Sequence, residues 1–476
     1  MDLDIADASY RASGRMKVGA IGAAPKAVSR ILTPGLEFLE HTVDGRRDVV
    51  YYIKAAASWP EHRSWHEAHN LKQREHFFHS TFRTRKHQIQ TMSSSAVVQK
   101  VVSAEPLANE DQEFWWQTTG PSFATLLDKA GYTPEQLEYH LSWYRRFVPA
   151  SLGPRPVPGQ KYPFTAGPCW DGSPVEPSIN WREKSKSTRL IRFAIGAIDS
   201  NAGTEADPFG QEETGRLLRR MTDVVPDLSL KKYEIFAEHL FIKKEDQASL
   251  LAKLPEGVAR VQVWVAFDCR AVGPMAKVYF LPYLKMLETG KHSNDFLHSI
   301  AQQCGKAEAE YGSFEDGVAT FASYLDSFAA TPELMPRTVI LAIDCIEGPD
   351  SRIKTYITTA ADTLSKVKEL YTLGGRVSGP EADAGLQALT DLWPILFGLE
   401  STADMDDKAV FPDGLGAAAC VELKAGRAIP EVKLQLPIYL LGIKDRECSS
   451  RLSTWFRQRG HGEFADTYAS DLEETL

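Results

Sequence analysis

The feature that most constrains this chain is a set of short segments whose side chains change character with a period of two. In Arg189–Ile195, Ile191, Phe193 and Ile195 share one face, while Arg192 lies on the other beside Ala194 and Gly196. Lys277 and Tyr279 oppose Val278 and Phe280; Arg352, Lys354 and Tyr356 oppose Ile353 and Ile357; Lys433 and Gln435 oppose Val432, Leu434 and Leu436. Successive side chains of a strand point to opposite faces, so each segment reads as a strand with one apolar face and one cationic or phenolic face.

The same period places candidate strands at 174–181, 188–198, 231–243, 259–269, 276–281, 338–345, 351–358, 417–423 and 431–438. Helical periodicity intervenes near 209–222, 292–308, 314–328, 359–371, 382–395, 449–458 and 462–473. Two helices precede the strands: one from about Gln112 to Ala130, and one opening on Thr133-Pro-Glu-Gln136. The second carries an N-cap, a proline at the first turn and a glutamine three residues on. A Pro/Gly-rich stretch from Gly153 to Pro174 follows. Strands separated by helices give an α+β class, either a layered sheet or a closed barrel with helices outside.

Residues 1–91 differ in kind. They are net basic within a chain of charge −9, and His62 to His87 hold six of its twelve histidines without a period. His66-Glu67-Ala68-His69 has HExH spacing rather than the HExxH of zinc helices, so no metal is expected there. We therefore divide the chain into an N-terminal extension, 1–91, poorly ordered or outside the domain, and a domain at 92–476. The acidic balance argues against nucleic-acid binding. No apolar run reaches membrane-spanning length. Six cysteines without CxxC spacing read as reduced thiols, consistent with a cytoplasmic location.

Five cations (Arg192, Lys277, Arg352, Lys354 and Lys433) have no acid interleaved on their own strand faces. Directed into one lumen they would repel one another unless an anion sits among them. Arginine forks onto phosphate oxygens, lysine supplies a mobile charge, and tyrosine offers a hydroxyl and an aromatic face. That set suits a diphosphate bonded to a group that becomes cationic. In Pro174–Asn180, Glu176 shares a face with Ser178 and Asn180, and it is the candidate acceptor for an N–H or O–H. A one-sided sheet with a solvated basic face would carry the same pattern, but its cations would not converge.

These strings, in this order, resemble the fungal dimethylallyl-tryptophan-synthase family of aromatic prenyltransferases. The resemblance runs from about Glu113 to the C-terminus, through Phe114–Pro121, Pro174–Asn180, Arg192–Ile195, Ala202–Phe209, Phe267–Arg270, Lys277–Pro282, Ser351–Tyr356 and Pro430–Lys433. It implies the ABBA or PT barrel, a ten-stranded antiparallel barrel ringed by helices with reaction in its lumen. It implies that Glu176 accepts the indole N–H; that Arg192, Lys277, Arg352, Lys354 and Lys433 hold the diphosphate; and that Tyr279 and Tyr356 help bind it and shield the allylic cation. It implies no metal and no cofactor. The partners would be dimethylallyl diphosphate and an aromatic acceptor, with neither nucleic acid nor membrane; a homodimer is left open.

The sequence departs from the family at several points. Arg270 stands where many members have a lysine proposed to handle the ring proton, and arginine does not deprotonate. Gln435 stands where tyrosine is common, and Gly196 where an acid is frequent. Arg337 is the nearest candidate to pair an amino-acid carboxylate, with a spacing about two residues off. Asp404-Met-Asp-Asp407 is a DxDD string in a polar segment. The chain stops where the family continues through a closing strand, so the expected barrel lacks that strand. Indole acceptors lead; a phenolic or polyketide acceptor, tyrosine, or an inactive aromatic-binding barrel are the alternatives.

Overall fold

The computed structural model describes residues 36–43, 46–54 and 92–476, apart from short stretches at 158–159, 161, 163, 170–172, 183–188, 256–257, 400–405, 413 and 476. Ten strands form a closed antiparallel barrel in which sequence neighbours pair. They are β1 (Leu36–Val43), β2 (Arg46–Lys54), β3 (Val175–Arg182), β4 (Leu190–Ile195) and β5 (Val263–Arg270). The second half comprises β6 (Gly273–Phe280), β7 (Arg337–Asp344), β8 (Arg352–Ala361), β9 (Ala417–Lys424) and β10 (Glu431–Leu436).

Two expectations are corrected. Residues 36–54, assigned above to an extension outside the domain, form the β1–β2 hairpin that closes the barrel. β2 pairs with β3 from Val50↔Arg182 to Lys54↔Ser178, and β1 meets β10 at Leu36↔Leu436 and Glu37↔Gln435. The hairpin supplies two strands at the place where a later closing strand was expected. The histidine-rich segment at 62–87 lies outside the described residues. The second correction concerns 231–243, read as a strand. It forms the helix Lys231–Leu240, which buries Tyr233, Phe236 and Leu240. Alternating Tyr233, Ile235 and Ala237 satisfy a period of two as well, and burial on one helical face decides between them.

The outward face of the wall is sealed by helices. The helix α1 (Glu110–Lys129) is N-capped by Asn109, and α2 (Pro134–Phe147) opens with the capping box of Thr133 and Gln136. Trp143 of α2 stacks on Phe193 of β4, with centroids 5.7 Å apart at 18°, while Phe123 of α1 meets the same ring edge-on. Tyr132, in the α1–α2 turn, donates its hydroxyl to the Cys269 carbonyl at 2.6 Å and accepts from the Ile191 N–H at 3.1 Å. This joins the helical layer to β4 and β5. Phe236 packs on Phe280 of β6 at 5.3 Å on another flank. Each fully buried aromatic or aliphatic side chain contributes about 1.5–3 kcal/mol, so this outer layer carries most of the fold's stabilisation.

A second, smaller apolar cluster lies inside the wall and includes Phe164, Ala166, Trp264, Leu281, Ile340, Ala342, Tyr356 and Cys420. None of the six cysteines forms a disulfide. No helix among the described residues is long and apolar enough to cross a membrane.

Candidate active site

Strand parity decides what enters the lumen. On β5, Val263, Val265 and Phe267 join the outer core, while Trp264, Ala266 and Asp268 line the interior cavity. On β8, Ile353 and Ile357 face out, and Arg352, Lys354 and Tyr356 line the cavity. The same cavity receives Glu176 and Ser178 from β3, Arg192 from β4, Lys277 and Tyr279 from β6, and Lys433 from β10. Its empty volume is about 790 Å³, counting the part open to solvent.

The structure thus brings together eight of the residues singled out above, and their cations converge. The basic, solvated sheet face is excluded. Three further residues named above do not line the cavity. Arg270 lies at the β5–β6 turn, where its Nη2 stands 3.3 Å from the Asp227 carboxylate. Arg337 is exposed at the start of β7. Gln435 is buried on β10, opposite Ala418 of β9. Of the DxDD string, Asp406 pairs with Lys368 at 3.0 Å on the surface.

Lumen carboxylates on the intervening strands were not anticipated. Asp268 on β5 receives both Nζ contacts of Lys277 at 2.6 Å and the Arg192 Nη2 at 3.1 Å. Asp344 on β7 accepts from the Arg352 Nε at 2.6 Å and from Lys354. Glu422 on β9 accepts from the Arg352 Nη1 at 2.9 Å and from Lys433. Desolvating a charge costs several kcal/mol unless it is paired, and these contacts offset that cost.

The electrostatics follow from the same arrangement. Burial opposes ionisation of Asp268 and Asp344, but the pull of Arg192 and Lys277 on the first, and of Arg352 and Lys354 on the second, prevails. Both carboxyls are held below their usual range. Burial pushes Lys277 well down, with Arg192 adding repulsion against the attraction of Asp268. Burial also pushes Lys433 down to about 8, although Glu422 pulls the other way. The five cations still outnumber the three paired carboxylates and Glu176 together, so the lumen retains positive charge for an anionic ligand.

Around that charge the walls are aromatic. Tyr279 and Tyr356 lie with centroids 5.7 Å apart, and Trp264 donates its indole N–H to the Ala166 carbonyl at 2.7 Å. Gly196 permits this close packing of the 164–168 segment, because a Cβ there would stand 2.0 Å from the Ala166 oxygen. An acid of the kind frequent in relatives would not fit at this position. Glu176 is buried, opposite the small Ala194 in register.

A sequence profile described as tryptophan dimethylallyltransferase matches residues 111–471. The chain belongs to that family. It is an aromatic prenyltransferase, and similar proteins share most of its length. Prenyltransferase iacE of Pestalotiopsis fici is 35% identical over 76% of this chain and 83% of its own. The 7-dimethylallyltryptophan synthase hasE of Aspergillus fumigatus is 32% identical over 76% and 77%. Among solved structures, AnaPT from Neosartorya fischeri superposes with a TM-score of 0.67 at 25% identity, covering 79% of this chain and 88% of that one. The prenyltransferase NotF, solved in complex with brevianamide F and DMSPP, gives 0.65 at 23% identity, covering 80% and 89%, a likeness of fold. The barrel is therefore the family's PT barrel.

Two signals could have exposed the missed acids. Each is the lone acid at its parity on its strand, preceded there by small or apolar residues: Trp264, Ala266, Asp268; Ile340, Ala342, Asp344; Ala418, Cys420, Glu422. Each also falls on a strand that lies between two cation-bearing strands.

Proposed function

We propose that this prenyltransferase moves a dimethylallyl group from dimethylallyl diphosphate to an indole-containing acceptor, with no metal ion taking part. The observation that carries this reading is the convergence of Arg192, Lys277, Arg352, Lys354 and Lys433 on a cavity that also holds Glu176 and two phenols. The cations bind the diphosphate and stabilise the charge that develops as the allylic C–O bond breaks, its electron pair leaving with pyrophosphate. Donors aimed at developing charge are worth about 2–4 kcal/mol of barrier each. The same cations would supply the charge neutralisation a metal provides elsewhere, and the three acids beside them are already engaged by lysine and arginine.

Tyr279, Tyr356 and Trp264 present aromatic faces to the allylic cation, and the enclosed lumen keeps water from quenching it. Glu176 accepts the acceptor's N–H and increases electron density on the ring. A ring carbon forms the new C–C bond, and the proton lost from that carbon passes to the released pyrophosphate. Arg270, outside the cavity and permanently charged, takes no part in that transfer. The name of hasE supports the dimethylallyl donor and the indole acceptor by analogy.

The test is an EDTA-treated incubation of the full chain with dimethylallyl diphosphate and tryptophan, tryptophan-containing cyclic dipeptides, tyrosine and phenolic polyketides, read by mass spectrometry. The expected product is an indole bearing one dimethylallyl unit in place of hydrogen, and Glu176→Gln is expected to reduce turnover by about 10²–10⁴-fold. Product only with phenols would overturn the indole assignment. Activity lost to EDTA and restored by magnesium would overturn metal independence.

A further inference from the structure

The cations of the lumen are not a free cluster; acids from the strands between them pair with each one, in two groups: Arg192–Asp268–Lys277 and Lys354–Asp344–Arg352–Glu422–Lys433. From β4 to β10 the order is Arg192, Asp268, Lys277, Asp344, then Arg352 and Lys354, then Glu422 and Lys433. The register sets acids against cations: Arg192 lies opposite Asp268, Lys277 opposite Asp344, and Lys354 opposite Glu422. Each of these three acids contacts two cations.

We propose that Asp268, Asp344 and Glu422 are positioning residues that keep the cage lysines protonated and aimed while the site is empty, and that yield those cations to the incoming diphosphate. This rests on the diphosphate reading above. The physical reason is that a lysine surrounded by arginine in a buried lumen loses its proton readily, and a neutral amine binds phosphate poorly. A contacting carboxylate holds the proton in place. It also tempers the affinity for pyrophosphate, the product that must leave. Every lysine in the cage meets an acid, Asp268 at Lys277, Asp344 at Lys354 and Glu422 at Lys433, and each acid also engages an arginine.

Glu422 provides the sharpest case, because its partner Lys433 is already pushed down to about 8 by burial. Around this pair lie Arg352 and Lys354 of β8, Cys420 and Lys424 of β9, and Glu431 of β10, which engages Lys424 at 2.7 Å. With Glu422 replaced by glutamine, repulsion from Arg352 and Lys354 acts on Lys433 without its counter-charge, and its proton leaves at lower pH. Two consequences follow for pyrophosphate. Below that pH every cation is charged and one competing anion has gone, so binding tightens; above it the variant has lost that cation as well, its net charge equals that of the wild-type ion pair, and the tightening is lost.

The experiment is calorimetric titration of the full chain with inorganic pyrophosphate, wild type against Glu422→Gln, at intervals from pH 6 to 9. Comparing the two proteins at each pH cancels the titration of pyrophosphate itself. The expected variant-to-wild-type ratio of Kd starts below one, at about three- to tenfold tighter binding, and rises towards one as pH approaches 8, where wild-type Lys433 also loses its proton. A ratio that is constant with pH would mean a merely structural carboxylate and overturn the proposal. If Glu422→Gln fails to fold, Asp268→Asn makes the same comparison through Lys277, which burial also pushes down. Wild type that binds no pyrophosphate at any pH would overturn the diphosphate reading instead.

Discussion

The two faces of the barrel wall are made by the same strands and obey opposite rules. On β4, Phe193 points outward into a stack with Trp143, Phe123 and Tyr144, while its neighbour Arg192 points inward to Asp268. On β10, Val432 and Leu434 join the outer core, while Lys433 reaches Glu422. The outer face gains free energy from every residue it buries. The inner face spends free energy on desolvating charges and recovers it through pairing, with little net stabilisation. The difference teaches that stability and chemistry are assigned to alternate residues of one strand, and that mutation should separate them.

The largest expected effect is on the outer face. Phe193→Ala removes a ring that is 1% exposed and packed on four aromatic neighbours. It should lower stability by about 3–5 kcal/mol, measured by chemical denaturation, with turnover per folded molecule close to wild type. A comparable loss of turnover at unchanged stability would break the comparison.

Next in size is the reverse experiment. The double substitution Glu422→Leu with Lys433→Met removes a buried pair and leaves Arg352 still engaged by Asp344. Turnover should fall by about 10²–10³-fold, while stability holds or rises by about 1–4 kcal/mol. Marked destabilisation would mean that the inner face also carries the fold.

The smallest effect is the pH dependence of stability. Lys433 titrates near 8 in the folded chain, below the ordinary lysine value of 10.5. The unfolded chain therefore holds more protons between those values, and this residue's contribution to stability rises with pH across that window, by at most about 1.4 kcal/mol per pH unit. Asp268 and Asp344 act in the same sense at lower pH, since their depressed carboxyls contribute stability that is lost as pH falls through their folded values. Denaturation midpoints of wild type and Lys433→Met should therefore change relative to each other above pH 8, the wild type gaining.

Much of the site was legible because it rests on parity. Arg192, Lys277, Tyr279, Arg352, Lys354, Tyr356, Lys433 and Glu176 each occupy a fixed face of a strand that its own residues announce. Asp268, Asp344 and Glu422 were not legible in that way. Each is the lone acid at its parity on its strand, and its meaning comes from lysines and arginines on the strands to either side. The repulsion among five cations was read as a demand for a ligand anion; the fold itself supplies part of that demand. Lys231–Leu240 misled because its apolar residues fit two periods. Residues 36–54 were set aside on composition, which says nothing about an edge waiting to be paired.

Local chemistry in the sequence determined the repeating unit: period-two faces, the Thr133 and Asn109 caps, and the cationic character of alternate positions. These depend on residues within a few positions of one another, where backbone geometry alone relates them. Tertiary structure decided closure of the barrel between β1 and β10, the small-residue contact at Gly196, and which acid each cation meets. Those relations join residues far apart in the chain, and their register is chosen by the packing of the whole wall rather than by any one strand.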